Sequence, residues 1–178
     1  MQIAYYIWSY INAETQIPNP SEHPAYAGYL LIPSQEIELP CIEVHASNYE
    51  LAELAIDKTN CGALLWYPYG IDYGKNPGEG EGRWIIADHD HQGFEAIMNC
   101  EIGEKVTFHN ADGTMLEYAV TEGFEGYIEE GILKSGEGKQ FIHSNKYDLI
   151  FMTCYPEADV PAIRDNRRYY VCLKLISG

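Results

Sequence analysis

Apolar residues recur along this chain in short runs, and Gly, Pro, Asn or Asp cuts each run off before it reaches the length of a long helix. Runs this short, rich in β-branched and aromatic residues, predict strands. We mark eight: Ala27–Ile32, Ile37–Val44, Ala63–Tyr67, Trp84–Ala87, Lys105–His109, Met115–Thr121, Asp148–Thr153 and Arg168–Leu175. The fifth and sixth are joined by Asn110-Ala111-Asp112-Gly113, a turn sequence that predicts a hairpin. Helical patterning is sparse. Ser47–Lys58 places Leu51, Leu54 and Ala55 on one face behind a Ser47 or Asn48 cap, and a further helical turn fits Gln92–Asn99. Gly70–Gly82 reads as a long acidic, glycine-rich loop. Eight short strands with few helices predict a mainly β fold, an eight-stranded closed or nearly closed β-barrel, because closure removes exposed sheet edges.

The apolar-aromatic run Ile3–Ile11 has no basic residue before it and no small-residue cleavage site after it, so it does not read as a signal peptide. We expect residues 1–25 to form a short helix or arm packed on the domain, and residues 26–178 to form the barrel. No run of about 18 apolar residues occurs, so no membrane-spanning helix is expected.

Composition narrows the function. With 178 residues the chain has room for one domain and a sizeable core. Lys and Arg number 11 against 27 Asp and Glu, a formal net charge of −16. Nucleic-acid binders and polybasic membrane-surface proteins need the opposite sign, so both classes are set aside. An apolar fraction of 46% is that of a folded chain. The five cysteines, Cys41, Cys61, Cys100, Cys154 and Cys172, form no CxxC pair, and their number is odd. That count fits neither a zinc cluster nor a disulfide scaffold, but leaves one thiol available as a nucleophile.

Three local features carry chemistry. Asp88-His89-Asp90-His91 follows an apolar strand; Thr153-Cys154 follows another; and three of the four arginines, Arg164, Arg167 and Arg168, fall within five residues. Acyl transfer by a cysteine needs a thiol, a proton shuttle and an oxyanion stabiliser, and Cys154, a histidine and an arginine supply all three. Metal binding by the two histidines is the weaker reading, because no further Asp-His pair follows. For the arginines, simple charge balance against Asp159 and Asp165 competes with a catalytic role.

Taken in order, these residues resemble the sortases, cysteine transpeptidases of bacterial surfaces. Leu31-Ile32-Pro33 with Ile37-Glu38-Leu39-Pro40 is similar to the family's opening strand pair, and Cys61-Gly62-Ala63-Leu64-Leu65 to the strand after its first helix. Ile86-Ala87-Asp88-His89, followed by Phe94, is similar to the family's histidine motif. The stretch Ile102-Gly103-Glu104-Lys105-Val106, with Asp112-Gly113 and Tyr118-Ala119-Val120, is similar to its central hairpin. Ile150-Phe151-Met152-Thr153-Cys154 is similar to its "TLxTC" motif, and the strand opening at Arg168 to its last strand. The chain departs from the pattern where Asp88 replaces a glycine and where Ile150 and Phe151 replace Thr and Leu.

The resemblance implies His89, Cys154 and Arg168 as catalytic residues and Thr153 as a peptide contact, with no cofactor and no metal. It prefers His89 over His91 by register, and Arg168 over Arg167 because the stretch Arg168–Leu175 fits the family's arginine-plus-strand pattern without a gap; neighbours on a strand point to opposite faces, so only one of the two can line the cleft. The implied partners are the sorting-signal peptide of a surface protein and a primary-amine acceptor, either a peptidoglycan precursor or a pilin lysine. The implied location is the extracellular face of a bacterial envelope. No anchor is visible in the chain, which leaves a cytoplasmic location open. A cysteine hydrolase on the same fold and a non-enzymatic binding module are the alternatives.

Overall fold

The computed structural model describes residues 26–45, 56–57, 60–73, 80–129, 132–141, 146–155 and 167–178. The expected arm over residues 1–25, most of the expected helix over 47–58, and Arg164 lie outside the described residues. Ile56 and Asp57, which belong to that helix, are helical.

Nine strands form one sheet. They are β1 (Tyr26–Ile32), β2 (Ile37–His45), β3 (Gly62–Tyr73), β4 (Gly80–Ala87), β5 (Lys105–Asn110), β6 (Met115–Glu129), β7 (Ile132–Ser135), β8 (Leu149–Cys154) and β9 (Arg167–Ser177). Their order is β5-β1-β2-β3-β4-β8-β9-β6-β7, and pairing of β5 with β6 closes the ring. Eight strands therefore make the closed barrel, as expected, and β7 is an additional strand hydrogen-bonded to the far end of β6. The sequence pattern misses β7 because Ile132–Ser135 holds only two apolar residues. It also misses how far β3 and β4 reach into the glycine-rich stretch, where main-chain pairing carries the ladder to Tyr73 and Gly80.

Burial separates two kinds of strand. In β1 and β5, buried and partly exposed positions alternate, so one face meets the core and the other meets solvent. In β8, the five residues Leu149 to Thr153 are all buried. A strand is apolar on both faces only when both are covered. One face of β4, β8 and β9 points into the barrel, where Trp84, Ile86, Phe151, Val171 and Leu173 join Leu30, Phe108 and Tyr118. The other face carries Ile85, Ala87, Ile150, Met152, Tyr170 and Cys172, and is covered by Ile56, Leu133, Phe141 and Tyr147.

The expected β5–β6 hairpin is present. Gly113 N donates to Asn110 O at 3.0 Å, and Asp112 Oδ1 accepts from Thr114 N at 2.8 Å. The helical turn expected at Gln92–Asn99 is instead a pair of 3-10 segments, Asp90–Gln92 and Phe94–Asn99. Gly93 separates them at φ 97°, a left-handed conformation that favours glycine.

Candidate active site

The central strands β4, β8 and β9 lie side by side. β4 and β8 run parallel with Ala87 opposite Met152, and Asp88 N donates to Met152 O at 3.3 Å. β8 and β9 run antiparallel with Cys154 opposite Arg168. The ends of β4 and β8 and the start of β9 therefore meet at one end of the barrel. His89, Cys154 and Arg168 each sit there.

Strand alternation adds a second constraint. Ala87, Met152 and Tyr170 all point to the outer core. His89, Cys154 and Arg168 each lie two residues from one of these, which gives all three the same outer face. Opposed residues on paired strands have Cβ atoms about 5 Å apart, so Cys154 and Arg168 are direct neighbours.

Each side chain has identifiable neighbours. Arg168 Nη1 donates to Arg167 O at 2.8 Å. Arg167 faces the other way: its Nη2 donates to Glu125 Oε2 at 2.9 Å, and its guanidinium lies 4.5 Å from the Tyr155 ring centroid. His89 is extended and caps the first 3-10 segment. Its Nε2 lies 2.7 Å from Asp57 Oδ1, and its ring stacks on His91 at 4.8 Å.

Thr153 is 1% exposed and alternates onto the barrel-interior side, and its hydroxyl has no hydrogen-bond partner among the described residues. That burial weighs against direct contact between its side chain and a peptide at the outer face. Asp88, level with Thr153 on the adjacent strand, is 5% exposed. It lines a cavity of about 340 Å³ together with Glu36, Glu38, Leu39 and Phe94. Burial pushes its carboxyl up to about 7, against the lowering effect of the His89 N–H bond and of His89 and His91. Asp88 Oδ1 accepts that bond from His89 N at 2.7 Å.

Three of the remaining cysteines, Cys41, Cys61 and Cys172, are buried, whereas Cys100, like Cys154, is half-buried. Burial pushes the thiols of Cys41 and Cys172 up, and that of Cys100 up to about 12. Thiols so shifted are poor nucleophiles at neutral pH.

Sequence reading missed Asp57 as the neighbour of His89, because no linear spacing connects a residue of the β2–β3 crossover to one after β4. Asp88 stood out as part of the Asp88–His91 run and as a departure from a motif, without a role of its own. A carboxyl between an apolar strand and two histidines was the available signal.

The fold and this placement define a closed β-barrel that brings the residues His89, Cys154 and Arg168 to one end of three adjacent strands. A sequence model described as Sortase domain matches residues 30–176, and the chain belongs to the sortase family. No curated protein sequence matches the chain significantly. Solved structures match in fold. Sortase C from Clostridium perfringens is 22% identical with a TM-score of 0.56, covering 99% of this chain and 86% of that one. Sortase C-1 from Actinomyces oris is 16% identical with a TM-score of 0.57, covering 99% of each. Clostridium perfringens sortase C with its C-terminal cell wall sorting motif is 18% identical with a TM-score of 0.52, covering 99% of this chain and 86% of that one.

Proposed function

We propose that this chain is a cysteine transpeptidase that cleaves an extended sorting peptide through a thioester on Cys154 and passes the acyl group to a primary amine. The observation that carries this reading is the convergence of His89, Cys154 and Arg168 on one face at one end of three adjacent strands. Family membership supports the class of reaction. The sorting motif in the Clostridium perfringens structure supports the class of peptide.

In this reading, the Cys154 thiolate attacks the scissile carbonyl and a C–S bond forms. The Arg168 guanidinium, permanently charged and forked, stabilises the oxyanion of the tetrahedral intermediate. The C–N bond breaks as His89 gives a proton to the leaving amine, and the C-terminal fragment departs. The acceptor amine then attacks the thioester and returns a proton to His89; a new C–N bond forms and the thiolate is restored. Thr153, the expected peptide contact, lies buried beside the nucleophile. The cell envelope is where the family's substrates would place this reaction.

A peptide-library cleavage screen tests the reading, with Cys154→Ala as control and hydroxylamine as an added amine. We expect cleavage only with Cys154 present, a covalent acyl adduct of that residue by mass, and a hydroxamate product when hydroxylamine is added. Cleavage that persists in Cys154→Ala overturns the reading. Water-only products despite saturating hydroxylamine reduce it to a hydrolase.

A further inference from the structure

The proposed mechanism assigns the imidazole of His89 a role but gives it no orientation. His89 Nε2 is 2.7 Å from Asp57 Oδ1, and a carboxylate can only accept. Nε2 therefore carries a hydrogen and donates it to Asp57. Two further contacts hold this arrangement. Gln92 Nε2 donates to Ile56 O at 3.0 Å, so the turn that carries His89 is tied to the same helical segment that carries Asp57. Ile56 is itself buried in the outer core, which anchors the segment. The His91 ring stacks on the His89 ring at 4.8 Å with 24° between planes, closing one side.

We propose that Asp57 is a positioning residue for His89: it fixes the tautomer with hydrogen on Nε2 and leaves Nδ1 as the nitrogen that exchanges protons with the leaving and attacking amines. This rests on the transpeptidase reading for its catalytic consequence, but the Asp57–His89 pairing itself does not. Among the described residues, the charged groups near the ring are Asp57 on the β2–β3 crossover and Asp88 and Asp90 on its own segment, with His91 stacked on it. Asp57 contacts a ring nitrogen of His89, whereas Asp90 lies against His91.

Orientation by a carboxylate is a fraction of what positioned acid–base catalysis supplies, which is roughly 10²- to 10⁴-fold. The Asp57 side chain is 54% exposed, and water competes for the bond. Asp57→Ala is therefore expected to lower kcat about tenfold while leaving KM for the peptide unchanged. Asp57→Asn retains an acceptor carbonyl and is expected to recover part of that loss.

The test combines two readouts on the full chain. Steady-state cleavage of the best peptide from the library gives kcat and KM for wild type, Asp57→Ala and Asp57→Asn. The ¹⁵N shifts of the His89 ring, assigned with His89→Gln, report which nitrogen holds hydrogen. We expect an Nε2-protonated ring in wild type, a mixed tautomer in Asp57→Ala, and partial restoration in Asp57→Asn. An unchanged tautomer and an unchanged kcat in Asp57→Ala overturn the proposal, as does an Nδ1-protonated ring in wild type. If wild type forms no thioester, the transpeptidase reading fails, and the ring shifts still decide the pairing. Should Asp57→Ala lower the melting temperature sharply, Asp57→Asn carries the same test.

Discussion

Replacing Asp88 by asparagine isolates the cost of a carboxylate held at the mouth of the barrel. The carboxyl is 5% exposed, and burial raises it from the ordinary 3.8 to about 7. In the unfolded chain it ionises near pH 4, so below that pH both states hold the proton and Asp88 carries no penalty. Between about pH 4 and 7 the unfolded chain loses the proton while the folded chain keeps it, and stability falls as pH rises; above 7 the penalty is constant. At about 1.4 kcal/mol for each tenfold change, the difference reaches about 4 kcal/mol. The cavity against Asp88 admits water, and we expect about half of that, roughly 2 kcal/mol, to be expressed. Asparagine keeps the carbonyl that accepts from His89 N, and its amide faces the acidic cavity wall of Glu36 and Glu38. Asp88→Asn should therefore match wild type at pH 3.5 and melt about 4–8 °C higher at pH 8, given ~2–4 °C for each kcal/mol in a domain of this size. Thermal melts of both proteins across that range measure the difference directly. A difference that stays flat with pH, or one in which the variant loses ground above pH 7, would falsify the desolvation of the Asp88 carboxyl.

The other predictions probe the site and its supports. Arg168→Lys keeps the charge but loses the fork, and should lower kcat/KM by about 10²-fold, whereas Arg167→Lys should change it only a few-fold; the reverse ranking in peptide-cleavage kinetics would show that the faces are assigned wrongly. Gly126 lies opposite Arg168 on β6, and a Cβ there would meet Lys134 O at 2.2 Å and Tyr170 Cε2 at 2.6 Å. Gly126→Ala should cost about 1–3 kcal/mol by denaturant unfolding, with lowered cleavage, and a neutral result would mean that β7 packs elsewhere. Phe141 stacks edge-on against Phe124 at 4.9 Å and Tyr170 at 4.8 Å in the outer layer, whereas Phe108 lies fully buried inside the barrel. Phe141→Ala and Phe108→Ala should each destabilise by about 3–5 kcal/mol, but Phe141→Ala alone should lower kcat where both remain folded, through Tyr170 next to Arg168; equal kcat values contradict the outer layer's link to the site.

Much of the barrel was legible because strand length and turn chemistry are local properties. Asn110-Ala111-Asp112-Gly113 reads as a turn before any partner is known, and the runs ending at Ile32, Ala87 and Thr153 come within one residue of the observed strand ends. What was not legible depends on pairing between distant segments. β7 is held by β6 main-chain bonds, from Gly126 opposite Ser135 to Glu129 opposite Ile132, rather than by its own pattern. The outer core was hidden for a related reason. The continuous apolar run of β8 says that both faces are covered, but Ile56, Leu133 and Phe141, which cover one of them, come from three separate parts of the chain. The order of His89, Cys154 and Arg168 could be read along the sequence. Their common face required the parallel β4–β8 register and the antiparallel β8–β9 register together.

The cluster of arginines shows how period-two geometry sends two neighbouring arginines to opposite faces; Asp159 and Asp165, the partners first considered for charge balance, lie outside the described residues. In a chain of net charge −16, adjacent arginines serve either charge balance or chemistry. The strand separates them. Arg167 and Tyr169 lie on one face of β9, where Arg167 pairs with Glu125 of β6 and lies against Tyr155. Arg168 and Tyr170 lie on the other, opposite Cys154. Arg167 thus pairs with Glu125, and Arg168, the residue opposite Cys154 and assigned to the oxyanion in the proposed function, is the one that strand alternation turns away from Glu125. A single-residue slip of β9 would exchange the two, placing Arg167 beside Cys154 and burying Tyr169 where Tyr170 now packs with Phe124 and Phe141. Tyr170, fully buried against Phe141 and the partly buried Phe124, therefore favours the register that sets Arg168 opposite Cys154.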